Sequence, residues 1–164
     1  DGLRLAQLSD IHLSPFLSRA DLAWCVDMAN EHHPQLALIT GDLITGIHDS
    51  IPNCLDELRR LKTDAGVFGC MGNHEGYLGA EAYIASEAAR RGFQFLRRQQ
   101  AALQFGTARL NLAGVDHQWR KETYLRGADG LVRPGELNIL LSHNPDVFPA
   151  AAKQGWDEIG RAHV

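Results

Sequence analysis

Apolar positions fall into two kinds of segment that alternate along the chain. Short, predominantly apolar runs at residues 3–8, Leu36–Thr40, 66–71 and Leu137–Leu141 are separated by stretches in which apolar residues recur every three or four positions. The runs have the length of strands, fully apolar ones being buried on both faces, and the spaced stretches have the period of amphipathic helices. Ser18, with Asp21 three residues on, opens a helix carrying Leu22, Val26 and Ala29 to about Glu31. Ser50, with Pro52 just behind it, opens a second along Ile51, Leu55, Leu58 and Leu61. The Ala- and Glu-rich segment 79–91 is a third, stopped by Gly92, and another helix begins near Pro145 and Asp146. Residues 93–96, 102–105 and 109–113 are short strand candidates, the last two joined by a turn at Gly106-Thr107, and 114–130 is a polar loop carrying Trp119 and Tyr124. Strands separated by helices of this length predict βαβ units, an α/β fold whose sheet is largely parallel with helices outside.

The four main runs all end on polar chemistry. The run 3–8 leads into Ser9-Asp10-Ile11-His12, Leu36–Thr40 into Gly41-Asp42, 66–71 into Gly72-Asn73-His74-Glu75, and Leu137–Leu141 into Ser142-His143-Asn144-Pro145. In a parallel sheet these are carboxyl ends of strands, where α/β folds keep their sites. Asp10, His12, Asp42, Asn73, His74 and His143 then form an oxygen and imidazole set suited to divalent ions such as Mn, Fe or Zn. Asp10 and His12, two apart in extended backbone, leave the same face while Ile11 turns inward, so one ion can take both. The two oxygens of Asp42 suit a bridge to a second ion about 3.5–4 Å away, which Asn73 and His143 would serve. His74 follows Asn73 directly and points elsewhere, so it is read as a proton donor rather than a ligand, its ring held by Glu75. His32, His33, His48 and His117 fit no such pattern and read as surface or loop residues.

Composition narrows the partners. The 164 residues are 45% hydrophobic and 22% charged, which suits one soluble globular domain. Sixteen basic against twenty acidic residues give a formal charge of −4, so nucleic-acid binding is not expected. Cys25, Cys54 and Cys70 are odd in number and far apart, without metal-site spacing, and read as free thiols. No stretch reaches membrane-spanning length. The chain opens at Asp1 directly on a strand, so membrane association or a cell-envelope location would come only through a segment upstream of it; otherwise the expectation is cytoplasmic.

Asp10-x-His12, Gly41-Asp42, Gly72-Asn73-His74-Glu75 and His143, in this order on these strand ends, resemble the calcineurin-like metallophosphoesterase superfamily. Residues 8–15 and 142–146 look most like its bacterial YkuE-like branch, often made with a signal or membrane segment. The resemblance runs from Leu3 to about Trp156. It implies a layered β sandwich flanked by helices, in the order α-β-β-α, with a dinuclear centre that hydrolyses a phosphate ester, more readily a phosphodiester, of a small molecule or lipid. Carried over by position, Asp10 and His12 bind the first of two divalent ions, Asp42 bridges, and Asn73 and His143 bind the second. A metal-held hydroxide attacks phosphorus while His74 protonates or steadies the leaving oxygen.

The family's last motif, Gly-His-x-His, should follow Trp156, but the chain reads Gly160-Arg161-Ala162-His163-Val164. Taken literally, His163 would bind the first ion and Arg161 would stand in place of a ligand to the second. Residues 158–164 resemble translated sequencing-adapter read-through. The expected division is therefore a partial metallophosphoesterase domain over 1–157 and a non-native tail over 158–164, with His163 a doubtful ligand. Two rivals compete with the enzyme reading. A dinucleotide-binding oxidoreductase fails because no two glycines are spaced Gly-x-Gly and no phosphate loop is present. A non-catalytic metal-binding module of the same fold is disfavoured by His74 and five candidate ligands, which a scaffold does not need.

Overall fold

The strand β2 (Leu36–Thr40) sets the layering. Its residues are all buried, and their alternation sends Ala37 and Ile39 to one side and Leu38 to the other. In the computed structural model, which describes residues 2–161, β2 lies between β1 (Leu5–Leu8) and β3 (Val67–Cys70), and β4 (Phe93–Phe95) completes a four-stranded parallel sheet in the order β1-β2-β3-β4. The helices α1 (Arg19–Glu31), α2 (Ile51–Leu58) and α4 (Glu81–Arg90) cover its outer face, where Leu22, Val26, Leu55, Leu58, Ile84 and Ala88 meet Ala37, Ile39 and Val67. The capping box at the start of α1 forms as the sequence predicts: Asp21 donates its backbone N–H to Ser18 Oγ and its carboxylate accepts from the Ser18 backbone.

A second sheet packs on the inner face of the first. It contains β5 (Gln99–Phe105), β6 (Ala108–Gly114), β7 (Leu137–Leu141) and β8 (Glu158–Gly160) in that order, with β5 and β6 an antiparallel hairpin and the rest parallel. Leu36, Leu38, Phe68 and Cys70 of the first sheet meet Leu110, Leu112, Ile139 and Leu141 of the second in a dry layer between them. The other face of the second sheet, Ala113 and Leu140, is closed by Leu125, Ala128, Val147, Trp156 and Ala151 of α5 (Phe148–Gln154). The result is the α-β-β-α sandwich of the family resemblance, whereas strand and helix alternation by itself predicts one sheet. Periodicity does not distinguish one parallel sheet from two, because a strand buried on both faces is equally apolar against a helix or against another sheet.

Smaller differences have local causes. The strand predicted at 102–105 begins at Gln99, because Gln100 and Ala101 pair with Ala113 and Leu112. Asn73–Tyr77, to which the sequence pattern assigns no element, is a short helix, α3, with Glu75 at its third position bonded back to the Gly72 backbone. Residues 158–160 sit on the edge of the second sheet, Gly160 opposite Leu141, held by backbone pairing that is indifferent to side-chain identity. His163 lies outside the described residues. Cys54 and Cys70 are buried free thiols, and burial pushes the Cys54 pKa up to about 12 and that of Cys70 higher still. Among the described residues no helix is long and apolar enough to cross a membrane.

Candidate metal centre

Three strand ends converge because two glycines let them. A side chain on Gly41 would place its Cβ 2.5 Å from the Gly72 nitrogen and 2.8 Å from His143 Nδ1, and one on Gly72 would lie 2.6 Å from the Asp42 nitrogen and run into its carboxylate. The backbone also turns left-handed at Gly41 (φ 89°) and, without glycine's freedom, at Asp10 (52°), His12 (47°) and Asp42 (54°). Asp10 N–H donates to the Gly41 carbonyl at 3.2 Å and His12 N–H to the Asp42 carbonyl at 2.9 Å, so the first two ends are laced together beyond the ladder. Left-handed residues at these positions aim the side chains out of the sheet edge, a form of strain found at functional sites.

Glu75 locks the third end in place. Fully buried, its carboxylate accepts from Asp42 N–H at 2.9 Å, Leu43 N–H at 2.8 Å and Gly72 N–H at 2.7 Å. The sequence reading gave Glu75 the ring of His74. Instead His74 Nδ1 bonds the Thr45 carbonyl at 2.7 Å, because α3 turns Glu75 inward toward three donors that otherwise have no acceptor.

Asp42 is the centre of what results. Only 3% of it is exposed; one carboxylate oxygen accepts from His74 N–H at 3.0 Å, and the other faces three imidazoles. His143 Nε2 is 3.3 Å from that oxygen, His12 Nε2 3.5 Å and His74 Nε2 4.0 Å. A carbonyl can only accept, so His143 Nδ1, 2.7 Å from the Thr40 carbonyl, and His74 Nδ1 at Thr45 both carry their proton. His12 Nδ1 lies 3.4 Å from Thr45 Oγ1. With neutral rings, the Nε2 lone pairs of His143 and His74 face a carboxylate oxygen, which repels unless a cation stands among them; with His143 protonated, its Nε2–H bonds Asp42 instead. Burial opposes ionisation of Asp42, but the His143 hydrogen bond, the His74 N–H and both imidazoles outweigh it and hold its pKa below the ordinary value. Burial likewise lowers the pKa of His143, and Asp42, the Thr40 carbonyl and Asp10 reverse that and raise it.

Two groups of side chains here are close enough to hold an ion: Asp10, Asp42 and His143, and His12, Asp42 and His74. Asp42 belongs to both, as a bridging residue would. The ligand sets implied by the resemblance divide the residues differently, pairing Asp10 with His12 and leaving His74 out. Asn73 opens α3 beside them, half-buried, and its amide enters none of the hydrogen bonds among the described residues. The donors fit divalent ions of the Mn, Fe or Zn type, with carboxylate, imidazole and amide ligands and anchored tautomers.

Sequence reasoning set apart one loop histidine that the structure brings beside the site. His117 lies on a loop after β6, but its ring faces the site, 5.8 Å from the ring of His143 and 4.4 Å from that of Trp119. Its Nδ1 is buried without a hydrogen-bond partner among the described residues, and burial, then the neighbouring His143, lower its pKa. The available signal was the end of β6, a neighbour of β7 in the same sheet, so that Asp116-His117 leaves the sheet beside His143. The histidines at 32, 33 and 48 belong to neither candidate group.

Residues 3–161 match the Calcineurin-like phosphoesterase family. The chain is 38% identical to a zebrafish transmembrane protein with metallophosphoesterase domain, over 96% of this chain and 38% of that protein. It is 28% identical to the uncharacterized metallophosphoesterase YkuE of Bacillus subtilis, over 89% of this chain and 52% of YkuE. The chain thus spans about a third to a half of such relatives, which are vertebrate as well as bacterial. Among solved structures, the NAD nucleotidase of Haemophilus influenzae superposes with a TM-score of 0.62 at 14% identity, over 98% of this chain and 38% of that one. The phosphopantetheinyl hydrolase of Mycobacterium tuberculosis does so with a TM-score of 0.54 at 12% identity, over 87% and 68%, and both share the fold. With the motifs, the α-β-β-α layers and the convergent aspartates and histidines agreeing, the chain belongs to the calcineurin-like phosphoesterase family.

Proposed function

We propose that this chain is the metal-binding core of a hydrolase that cleaves a phosphate ester, a phosphodiester in preference to a monoester, at a dinuclear centre bridged by Asp42. The observation that carries the reading is the convergence of three imidazole nitrogens on one oxygen of a buried aspartate, two of them with the opposite nitrogen anchored to a backbone carbonyl. Asp10, His12, Asp42, Asn73 and His143 are the residues that would hold the ions. Bound divalent ions supply positive charge for the phosphoryl oxygens and an ionised water at neutral pH.

The protein's own groups supply the rest. Glu75 fixes the Asp42 backbone, so the carboxylate enters the reaction already aimed, without reorganisation. His74 is partly exposed beside the group, with Nδ1 tied to the Thr45 carbonyl, and its protonated ring would give the Nε2 proton to the leaving oxygen. A small-molecule or lipid phosphoester is the substrate class, and the net charge of −4 gives no support to nucleic acid.

The test is metal content and turnover of mono- and diesters by protein loaded with Mn, Fe or Zn, compared with Asp42→Asn. We expect activity to fall by about 10³-fold or more and both ions to weaken, because a neutral amide bridges two cations poorly. Unchanged metal content and rate in Asp42→Asn would refute the bridge. Faster turnover of monoesters than of matched diesters would refute the diester preference.

A further inference from the structure

Beyond the metal group, the aromatic rings form one continuous arc. His12 meets His74 with ring centroids 4.7 Å apart, His74 meets Tyr77 at 6.1 Å, Tyr77 meets Trp119 at 4.9 Å, Trp119 meets His117 at 4.4 Å, and His117 meets His143 at 5.8 Å. The arc starts and ends on residues that face Asp42. Its middle is different in kind: Tyr77 is 70% exposed and Trp119 53% exposed, so two large rings in contact with each other present open surface beside the reactive centre.

The placement of these rings is built into the backbone. Trp119 lies on Gly76 of α3, where an added Cβ would come 3.0 Å from the indole Cζ2. The loop carrying Trp119 is tied down by Asn144, whose side-chain amide donates to the Gln118 carbonyl at 2.8 Å and to the Tyr124 hydroxyl at 3.1 Å. Gln118 Oε1 in turn accepts from Leu125 N–H at 3.2 Å. A wall held this way is ordered before any ligand arrives, which lowers the entropic cost of binding.

Resting on the phosphoesterase reading, we propose that Tyr77 and Trp119 form a stacking wall that selects phosphate esters carrying a flat unsaturated ring, an aryl group or a nucleobase, a few bonds from phosphorus. Two tilted rings open to solvent cover one face of a flat ring by offset stacking. An acyl chain needs apolar surface around its circumference, which a one-sided wall does not give. The wall begins one ring away from His74.

The experiment uses metal-loaded protein and two matched esters, phenethyl phosphate and cyclohexylethyl phosphate, each also as its methyl diester. The two alcohols have similar leaving ability and size, and only one ring is flat. Wild type should favour the phenyl ester by about tenfold in kcat/KM. Trp119→Leu should abolish that preference by lowering phenethyl turnover more than cyclohexylethyl turnover, and Trp119→Phe should retain most of it. Equal turnover of the pair by wild type, or an equal loss on both in Trp119→Leu, would overturn the wall.

A second readout is independent of turnover: quenching of Trp119 fluorescence by phenethylphosphonate but not by cyclohexylethylphosphonate, with Trp119→Phe as the blank. If no ester turns over but the quenching is selective, the phosphoesterase reading fails and the wall stands. If turnover occurs without selective quenching or preference, the wall fails alone. Phospholipid vesicles provide the remaining arm. Turnover of vesicle lipid that outpaces phenethyl ester and is lost in a Phe16→Ala, Ile47→Ala double variant would assign the exposed Phe16 and Ile47 side chains to a membrane contact and overturn the ring assignment.

Discussion

The two sheets contribute unequally to the site. The first, all parallel, supplies Asp10, His12, Asp42, Asn73 and His74 from three adjacent strand ends, together with left-handed backbone at three non-glycine residues. The second supplies His143 from the end of β7 and, through the loop after β6, the rings of His117 and Trp119. The first sheet makes most of the candidate centre, and the second adds His143 and closes one side of it. On the proposed reading, chemistry demanding fixed geometry would be carried by short connections whose backbone is laced together, and contacts with the substrate's remainder by a longer loop held through side chains.

Variants that separate the two contributions test this division, beginning with the largest effect. His74→Asn should keep its metal and lose about 10²–10⁴-fold in rate, the usual worth of a proton donor, with pH-rate profiles and metal analysis as the measurements. Loss of metal instead would move His74 into the ligand set, as its nearness to Asp42 and His12 allows. Glu75→Gln leaves one acceptor where a carboxylate met three N–H groups, and turns an amide N–H₂ toward donors. It should cost about 2–4 kcal/mol of stability and about 10–100-fold in metal affinity, read by denaturant melts and metal titration. A stable variant with unchanged affinity would show that the strand ends hold without this carboxylate. Asn144→Ala, confined to the second sheet's side, should leave metal affinity unchanged and lower kcat/KM for a phenyl ester by about fivefold. Equal losses of metal and of ester selectivity would erase the distinction between the two halves.

What could be read from the sequence follows the same division. The first sheet's motifs are short, and each places its polar residues one to four positions past an apolar run, so Asp10, His12, Asp42, Asn73 and His74 were visible as strand-end residues. His143 was found the same way, on the last main run. Glu75 was visible but its role was not, since its partners at Asp42 and Leu43 lie more than thirty residues back in the chain. His117 and Trp119 were hidden for a similar reason: a polar loop has no period, and its position over α3 is set by Gly76 and Asn144 rather than by its own residues. The second sheet escaped because strands facing a sheet and strands facing a helix are equally apolar.

The left-handed backbone at His12 has a consequence for how such a chain changes over generations. An imidazole residue at φ 47° is held in a conformation that costs about 1 kcal/mol or more relative to glycine there, and Asp10 and Asp42 share the same region at lower penalty. Under selection for heat resistance alone, His12→Gly relieves that strain, and the lineage that takes it loses a candidate ion ligand. Descendants that drift into purely structural roles should lose this histidine early, so its presence or absence in a relative dates the loss of chemistry better than the survival of the fold does.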